Sequence, residues 1–176
     1  VVVFLQVGAR YGVPVHTTAV GFKYLGPVMM AQDALAAGEE SGGYAFRGNI
    51  PERDGIYSGL LFLEMMVRTG RRPTELVSWL HEVAGPHAYD RWDVHVSPDR
   101  PVRLEPLVTG PLPERLGGLA VEGRDTTDGV RYLLRGGYWG LVRLAGTEPL
   151  VRLYAEAESP ERVREVLSGL RELVGI

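Results

Sequence analysis

Apolar positions recur at helical spacing in three clear stretches. From Ile56 to Arg68, residues Leu60, Leu61, Leu63, Met66 and Val67 fall on one broad side, which predicts a helix with a buried stripe. Asp54 stands where an N-cap belongs and Gly70 where the helix should stop. A second helix is predicted over Pro73 to Ala84, opened by proline, closed by Gly85, with Leu76, Val77 and Leu80 sharing a face. A third ends the chain, with Ser159 as N-cap, Pro160 at the first position, and Val163, Val166, Leu167, Leu170 and Val174 facing inward. Pro27 to Ala37 has helical composition with Gly38 after its end, but it reads equally as a short helix followed by a strand at Ala34 to Ala37.

Strand patterns are shorter. Val13 to His16 reads as a strand that runs into a Thr- and Gly-rich turn at Thr17 to Gly21. Val130 to Leu134 and Trp139 to Leu144 read as an antiparallel hairpin joined through Arg135 to Tyr138. In a further strand, Val151 to Ala155, apolar Val151, Leu153 and Ala155 alternate with Arg152 and Tyr154. Pro86 to Pro113 is Pro-rich and weakly periodic, so a domain boundary is expected near Asp90 to Pro101. The fold expected is an α/β unit, a mixed sheet with helices, followed by a small α+β unit, an antiparallel sheet with helices.

Composition narrows the function classes. With 176 residues, 45% hydrophobic and 23% charged, the chain has ample material for a core. A formal net charge of -3 argues against general nucleic-acid affinity, while leaving room for a local anion site. The absence of Cys excludes disulfides, thiolate zinc sites and thiol catalysis, and fits a cytoplasmic protein. No apolar run approaches the roughly 20 residues of a membrane span. The chain opens without Met at Val1 to Leu5, inside what reads as a buried element, as expected of a piece of a longer protein. His16, His81, His87 and His95 show no ligand spacing, so no metal is assigned to the chain. The Met29-Met30 and Met65-Met66 pairs read as core filling.

Three segments combine polar groups with tight backbone. In Gly38-Glu39-Glu40-Ser41-Gly42-Gly43, Glu39 and Ser41 are two apart and project to one side of an extended loop, a pairing suited to neighbouring sugar hydroxyls. The competing reading is a polar surface turn. Arg143-Leu144-Ala145-Gly146-Thr147-Glu148-Pro149 lies between two strands. Its Arg can grip a phosphate, its Gly allows an anion nest and its Thr adds a hydroxyl, against the reading of a plain turn with a surface Arg. In Gly21-Phe22-Lys23-Tyr24, a Lys between two aromatics is a candidate for partial desolvation, hence for proton transfer or phosphate contact, against a snorkelling surface residue.

These segments, in the order Thr18 to Lys23, Gly38 to Gly43, Ile50 to Gly55, Asp125 to Val130 and Arg143 to Pro149, resemble those of α-D-phosphohexomutases over almost the whole chain. The resemblance implies four domains in the parent enzyme. A phosphorylated serine sits in the first, an Asp-rich magnesium loop in the second, a sugar-binding loop in the third and a phosphate-binding loop in the fourth. By this likeness residues 1–95 are most of the third domain and 100–176 the fourth. Val1 to Tyr11 matches the family poorly, and the first strand of the third domain is expected to be missing.

The likeness assigns Glu39 and Ser41, with Thr18 and Gly21, to sugar binding. It assigns Arg143, Gly146 and Thr147 to phosphate, and Lys23 to acid/base work near the reacting oxygen. Asp54 is expected to act as a cap, and Arg53 is left without a role. Magnesium and the serine are expected to belong to the missing N-terminal domains, which are the chain's partners together with a hexose phosphate; neither nucleic acid nor a membrane is expected. Two departures stand out: Ala145 where the family loop usually has Ser, and Asn49 where His is frequent. A glucosamine phosphate substrate is disfavoured, because relatives with that activity usually differ in the Glu-Glu-Ser-Gly-Gly segment. The alternatives are a noncatalytic sugar-phosphate-binding module, and a structural or interaction domain that only Ala145 favours.

Overall fold

The computed structural model describes residues 2–97, 102–145 and 149–176. The chain divides into two compact units, Val3–Ala84 and Gly85–Ile176. Each is taken in turn.

The first unit opens with helix α1 (Val2–Tyr11) and an extended stretch at 13–18, where the strand expected at Val13 to His16 has no partner to pair with among the described residues. Helix α2 (Phe22–Ala31) carries Pro27 as its sixth residue. Pro27 is therefore not the helix start that its position suggests; the helix accepts the loss of one backbone bond a turn and a half in. Strands β1 (Ala36–Gly38) and β2 (Tyr44–Phe46) pair antiparallel, so the reading of a short helix followed by a strand is the correct one, with the strand starting two residues later and ending one later. Phe22, Met29, Ala37 and Ala45 form a small core between α2 and this hairpin.

Helix α3 (Gly55–Thr69) starts and stops as its ends dictate. The Asp54 carboxylate accepts the Tyr57 N–H at 2.8 Å, and Gly70 closes the helix in the left-handed region. Its expected buried stripe is not buried: Leu60, Leu63 and Val67 are exposed, and Leu61 and Met66 only half-buried. Helix α4 (Pro73–Ala84) buries Leu76, while Val77 and Leu80 stay exposed. Periodicity placed both helices, but within this unit the two-stranded sheet offers too little surface to cover their apolar sides.

The second unit is a six-stranded antiparallel sheet in the order β3-β8-β7-β6-β5-β4. The strands are β3 (Ala88–His95), β4 (Arg115–Leu116), β5 (Leu119–Asp125), β6 (Val130–Leu134), β7 (Trp139–Leu144) and β8 (Leu150–Ala157). A short helix α5 (Glu105–Thr109) precedes β4, and helix α6 (Pro160–Val174) closes the chain. Because Ala88 to His95 pairs with Ala157 to Leu150, these residues belong to the second unit. The boundary expected near Asp90 to Pro101 therefore falls earlier, between Ala84 and Gly85.

The core of this unit lies under α6. Val130, Tyr132, Leu134, Val142, Val151, Leu153 and Ala155 from the strands meet Val163, Val166, Leu167 and Leu170 from the helix, with exposures of 0–1%. At roughly 1.5–3 kcal/mol for each fully buried large aliphatic, this one contact dominates the unit's stability. Ser159 caps α6 through the Arg162 N–H at 3.2 Å, as its sequence predicts. Alternation on β8 is incomplete as a burial rule. Tyr154 points away from α6 but is buried against Trp139 and Leu141 in a second cluster.

Candidate functional site

The two loops singled out by sequence sit on hairpins, one in each unit. In the first unit β1 and β2 are joined through 39–43, closed by Glu39 N–H to Gly43 O at 2.9 Å and Gly42 N–H to Glu39 O at 3.1 Å. The loop turns the Glu39 side chain inward, leaving it 8% exposed with Oε2 3.5 Å from Arg53 Nη1. Glu40 and Ser41 stay exposed at the tip. Glu39 and Ser41 therefore lie on one closed turn and differ in exposure, which corrects the expectation of an extended loop with both side chains on one side.

Around this loop the other segments converge. Phe22 is buried at the start of α2, with the Arg53 guanidinium 5.6 Å from its ring centre. Asp54 N–H donates to Tyr44 O at 3.0 Å, tying the start of α3 to β2. Asn49 donates to the second Asp54 oxygen at 2.9 Å. The Tyr57 N–H, with Asn49 beside it, holds the Asp54 carboxyl below its ordinary range. The departure at Asn49 thus has a local use, bracing the cap. Thr18 is half-buried, its hydroxyl donating to Ala19 O at 2.9 Å, and Gly21 takes a positive φ at the N-cap of α2.

Lys23 corrects an expectation. Successive helix residues diverge by about 100°, so Phe22 turns in while Lys23 and Tyr24 turn out. Lys23 is exposed, with Nζ 4.8 Å from the Tyr24 ring centre, and is not desolvated between two aromatics.

In the second unit Arg143 lies near the end of β7, directly before the connection to β8. Its Nε donates to Asp128 Oδ1 at 3.0 Å, and both side chains are about three-quarters buried. Burial works against the charged guanidinium, but Asp128 and the Tyr154 hydroxyl outweigh it, so the Arg143 pKa lies above the ordinary arginine value. Asp128 is delivered by a braced turn. Asp125 Oδ1 accepts the Thr127 N–H at 2.9 Å and the Thr127 hydroxyl at 2.6 Å, and Oδ2 accepts from Arg131 at 2.5 Å. Gly129, at φ +86°, brings the turn so close that an added Cβ would sit 2.3 Å from Val142 O.

Arg152 is the cross-strand partner of Arg143 on β8. Like charges placed opposite one another are unfavourable unless balanced. Asp128 supplies that balance on one side, and Asp93, 4.0 Å from Arg152, on the other. Ala145 N–H donates to Leu150 O at 3.0 Å, closing the base of the connection. Gly146 and Thr147 lie outside the described residues. Sequence reasoning missed Asp128, Tyr154 and Arg152. The Asp125 to Val130 segment stands out as a motif, but nothing in it announces a partner at position 143.

Among the described residues, no group of three or more His, Asp or Glu side chains is disposed to hold a metal ion. The magnesium implied by the family likeness has no site to be derived from them. Among the same residues no helix is long and apolar enough to cross a membrane.

Comparison with known proteins covers both units. Residues 3–83 match the family model described as phosphoglucomutase/phosphomannomutase, alpha/beta/alpha domain III. Residues 107–173 match the model of the phosphoglucomutase/phosphomannomutase C-terminal domain. The first match begins at residue 3 and so takes in most of α1, within the stretch expected to match poorly. A protein of Thermococcus kodakarensis named phosphoglucomutase/phosphomannomutase is 32% identical over 92% of this chain and 33% of its own length. A protein of Jannaschia sp. named phosphoglucosamine mutase is also 32% identical, over 92% of this chain and 32% of its own. A crystal structure from Thermus thermophilus, of a protein assigned as a phosphomannomutase, has a TM-score of 0.77 and 37% identity, over 99% of this chain and 34% of that one. The chain spans about a third of the length of these relatives. Two family models in succession, over residues 3–83 and 107–173, place the chain in the phosphoglucomutase/phosphomannomutase family.

Proposed function

We propose that this chain supplies the sugar- and phosphate-binding part of an intramolecular phosphotransferase that interconverts hexose 1-phosphate and hexose 6-phosphate. The observation that carries the reading is Arg143. It is a permanently charged guanidinium, held from behind by Asp128 at the mouth of a strand connection, with a second arginine opposite. Such a group is built to receive an anion by paired N–H bonds.

In this reading a phosphoserine outside the chain gives its phosphate to one end of the sugar phosphate. The resulting bisphosphate turns over, and the other phosphate returns to the serine. Magnesium held by residues outside this chain would neutralise charge on the phosphate being transferred. Glu39 accepts bonds from two neighbouring sugar hydroxyls, and Ser41 gives or takes a third, with Thr18 and Gly21 beside them. A half-turn of the sugar roughly exchanges O3 and O4, so one loop serves both orientations. Arg143, Gly146 and Thr147 hold whichever phosphate is not reacting. Lys23, exposed at the start of α2, is assigned to the neighbourhood of the oxygen being phosphorylated by the family likeness alone. The chain alone binds without turnover, since transfer needs the donor serine held close to the sugar.

Glucose and mannose phosphates are the substrates proposed. An amino-sugar phosphate is the second reading, favoured by the relative at 32% identity that bears the name phosphoglucosamine mutase. Calorimetric titration with glucose 1-phosphate, mannose 1-phosphate and glucosamine 1-phosphate, beside Arg143→Ala, tests both. Binding weakened about tenfold or more by the variant supports the reading, and the order of affinities ranks the sugars. Undiminished binding in the variant would sink it.

A further inference from the structure

Arg53 has no role in the account so far, yet it touches all three motifs of the first unit. Its Nη1 lies 3.5 Å from Glu39 Oε2, its Nε donates to Glu52 at 3.0 Å, and its guanidinium lies over the Phe22 ring. Its stem also explains a residue of the loop. Gly43 does not need a left-handed backbone, but a Cβ there would sit 2.5 Å from Arg53 Cδ and 2.7 Å from Cγ. With glycine at position 43 the Arg53 stem can lie against the loop backbone. The same Cβ would come within 3.2 Å of Glu39 Oε2, so loop, arginine and carboxylate share one small volume.

We propose that Arg53 is the positioning residue of the sugar-binding loop: packed under Gly43 and pinned by Glu52 and Phe22, it fixes the direction in which Glu39 presents its carboxylate to the sugar hydroxyls. This rests on the reading of Glu39 as a sugar ligand. A carboxylate with 8% of its side chain exposed needs a cation to offset lost hydration, and Arg53 stands at ion-pair distance. Arg53 itself is 56% exposed, so its contribution to stability is small and its effect is one of orientation. The Glu52 carboxyl, held below its ordinary range by the Arg53 backbone N–H and side chain, stays ionised to hold the arginine from the far side. A lysine at 53 would keep the charge but lose the planar fork that reaches Glu39 and Glu52 together.

The test uses this chain with glucose 1-phosphate as the titrant, and compares Arg53→Ala, Arg53→Lys, Glu39→Gln and the Arg53→Ala/Glu39→Gln double variant. Arg53→Ala should weaken binding about tenfold with an unchanged Tm, since misplacing a binding group is costly even where folding is not. Arg53→Lys should recover part of the loss. The double variant should bind no more weakly than Glu39→Gln alone, because Arg53 acts through Glu39. Amide hydrogen exchange gives a readout that needs no ligand: the Glu39 and Gly42 amides should exchange severalfold faster in Arg53→Ala, with the Tyr57 amide unchanged. Wild-type affinity in Arg53→Ala beside lost affinity in Glu39→Gln would overturn the inference while leaving the proposed function standing. Undiminished binding in Arg143→Ala would overturn the proposed function. If the wild-type chain shows no binding, the exchange arm decides, and unaltered Glu39 and Gly42 exchange overturns the role of Arg53.

Discussion

Helices α3 and α6 have the same length, 15 residues, and the same grammar: a short polar N-cap in extended conformation and a left-handed glycine at the end. They differ in what they meet. α6 lies on β8, β3 and β7 and buries Val163, Val166, Leu167 and Leu170 almost completely. α3 packs on the short strand β2 and buries none of its residues. The apolar period of a helix therefore states which side would be buried, and the surface opposite decides whether it is.

The largest test of this contrast is a matched pair of truncations. Leu167→Ala should cost roughly 2–5 kcal/mol in denaturant unfolding, as deletion from a packed core does. Leu63→Ala, on the exposed side of α3, should stay within about 0.5 kcal/mol. Equal costs would break the comparison.

The two loops proposed to bind substrate sharpen it on the side of function. Arg143→Ala removes a charged donor, worth roughly 1.5–3 kcal/mol, and should weaken phosphate affinity about tenfold or more in calorimetric titration. Ala145→Ser should move affinity the other way by a smaller factor, as the added hydroxyl reaches the anion. No gain would show that backbone N–H groups or water already fill that position. At the helix ends, Ser159→Ala should cost about 1 kcal/mol in thermal unfolding of the second unit.

The smallest effect is in pH. The Thr127 hydroxyl and N–H, then Arg131, hold the Asp125 carboxyl below its ordinary value. Its contribution to stability is therefore present above the unfolded-state pKa, near 4, and is lost as pH falls through the lower folded-state value. Asp125→Asn should flatten the acid side of the stability profile. An unchanged profile would show that the turn is held by Gly129 and its backbone instead.

What could be read from sequence was local. Asp54, Gly70, Ser159 and Pro160 act on neighbours within a turn, so their roles follow from spacing alone. The hairpin of β6 and β7 was legible because Gly136 and Gly137 sit between two apolar runs. β3 was not, although Ala88, Trp92 and Val94 alternate toward the core. It is an edge strand, and its Asp90, Arg91 and Asp93, suited to an edge, read as a linker between prolines. The same limit governs the site. The loops around Glu39 and Arg143 announced themselves by glycine and charge in one short segment. Arg53 and Asp128, 14 and 15 residues from the groups they hold, became partners only when the chain folded.

The pairing of β3 with β8 has a consequence for the order of assembly. Ala88 finds Ala157 across the sheet, so the first strand of the unit to be synthesised waits for the last. The hairpin of β6 and β7 can form early from neighbours in sequence. The open side of β7 then stays without its partner until Leu150 to Ala157 has been made, and only then can β3 join. A closure between strands far apart in sequence is slow compared with local pairing. A growing chain stopped short of β8 would thus carry two unpaired strand edges, the form in which this unit is most exposed to aggregation.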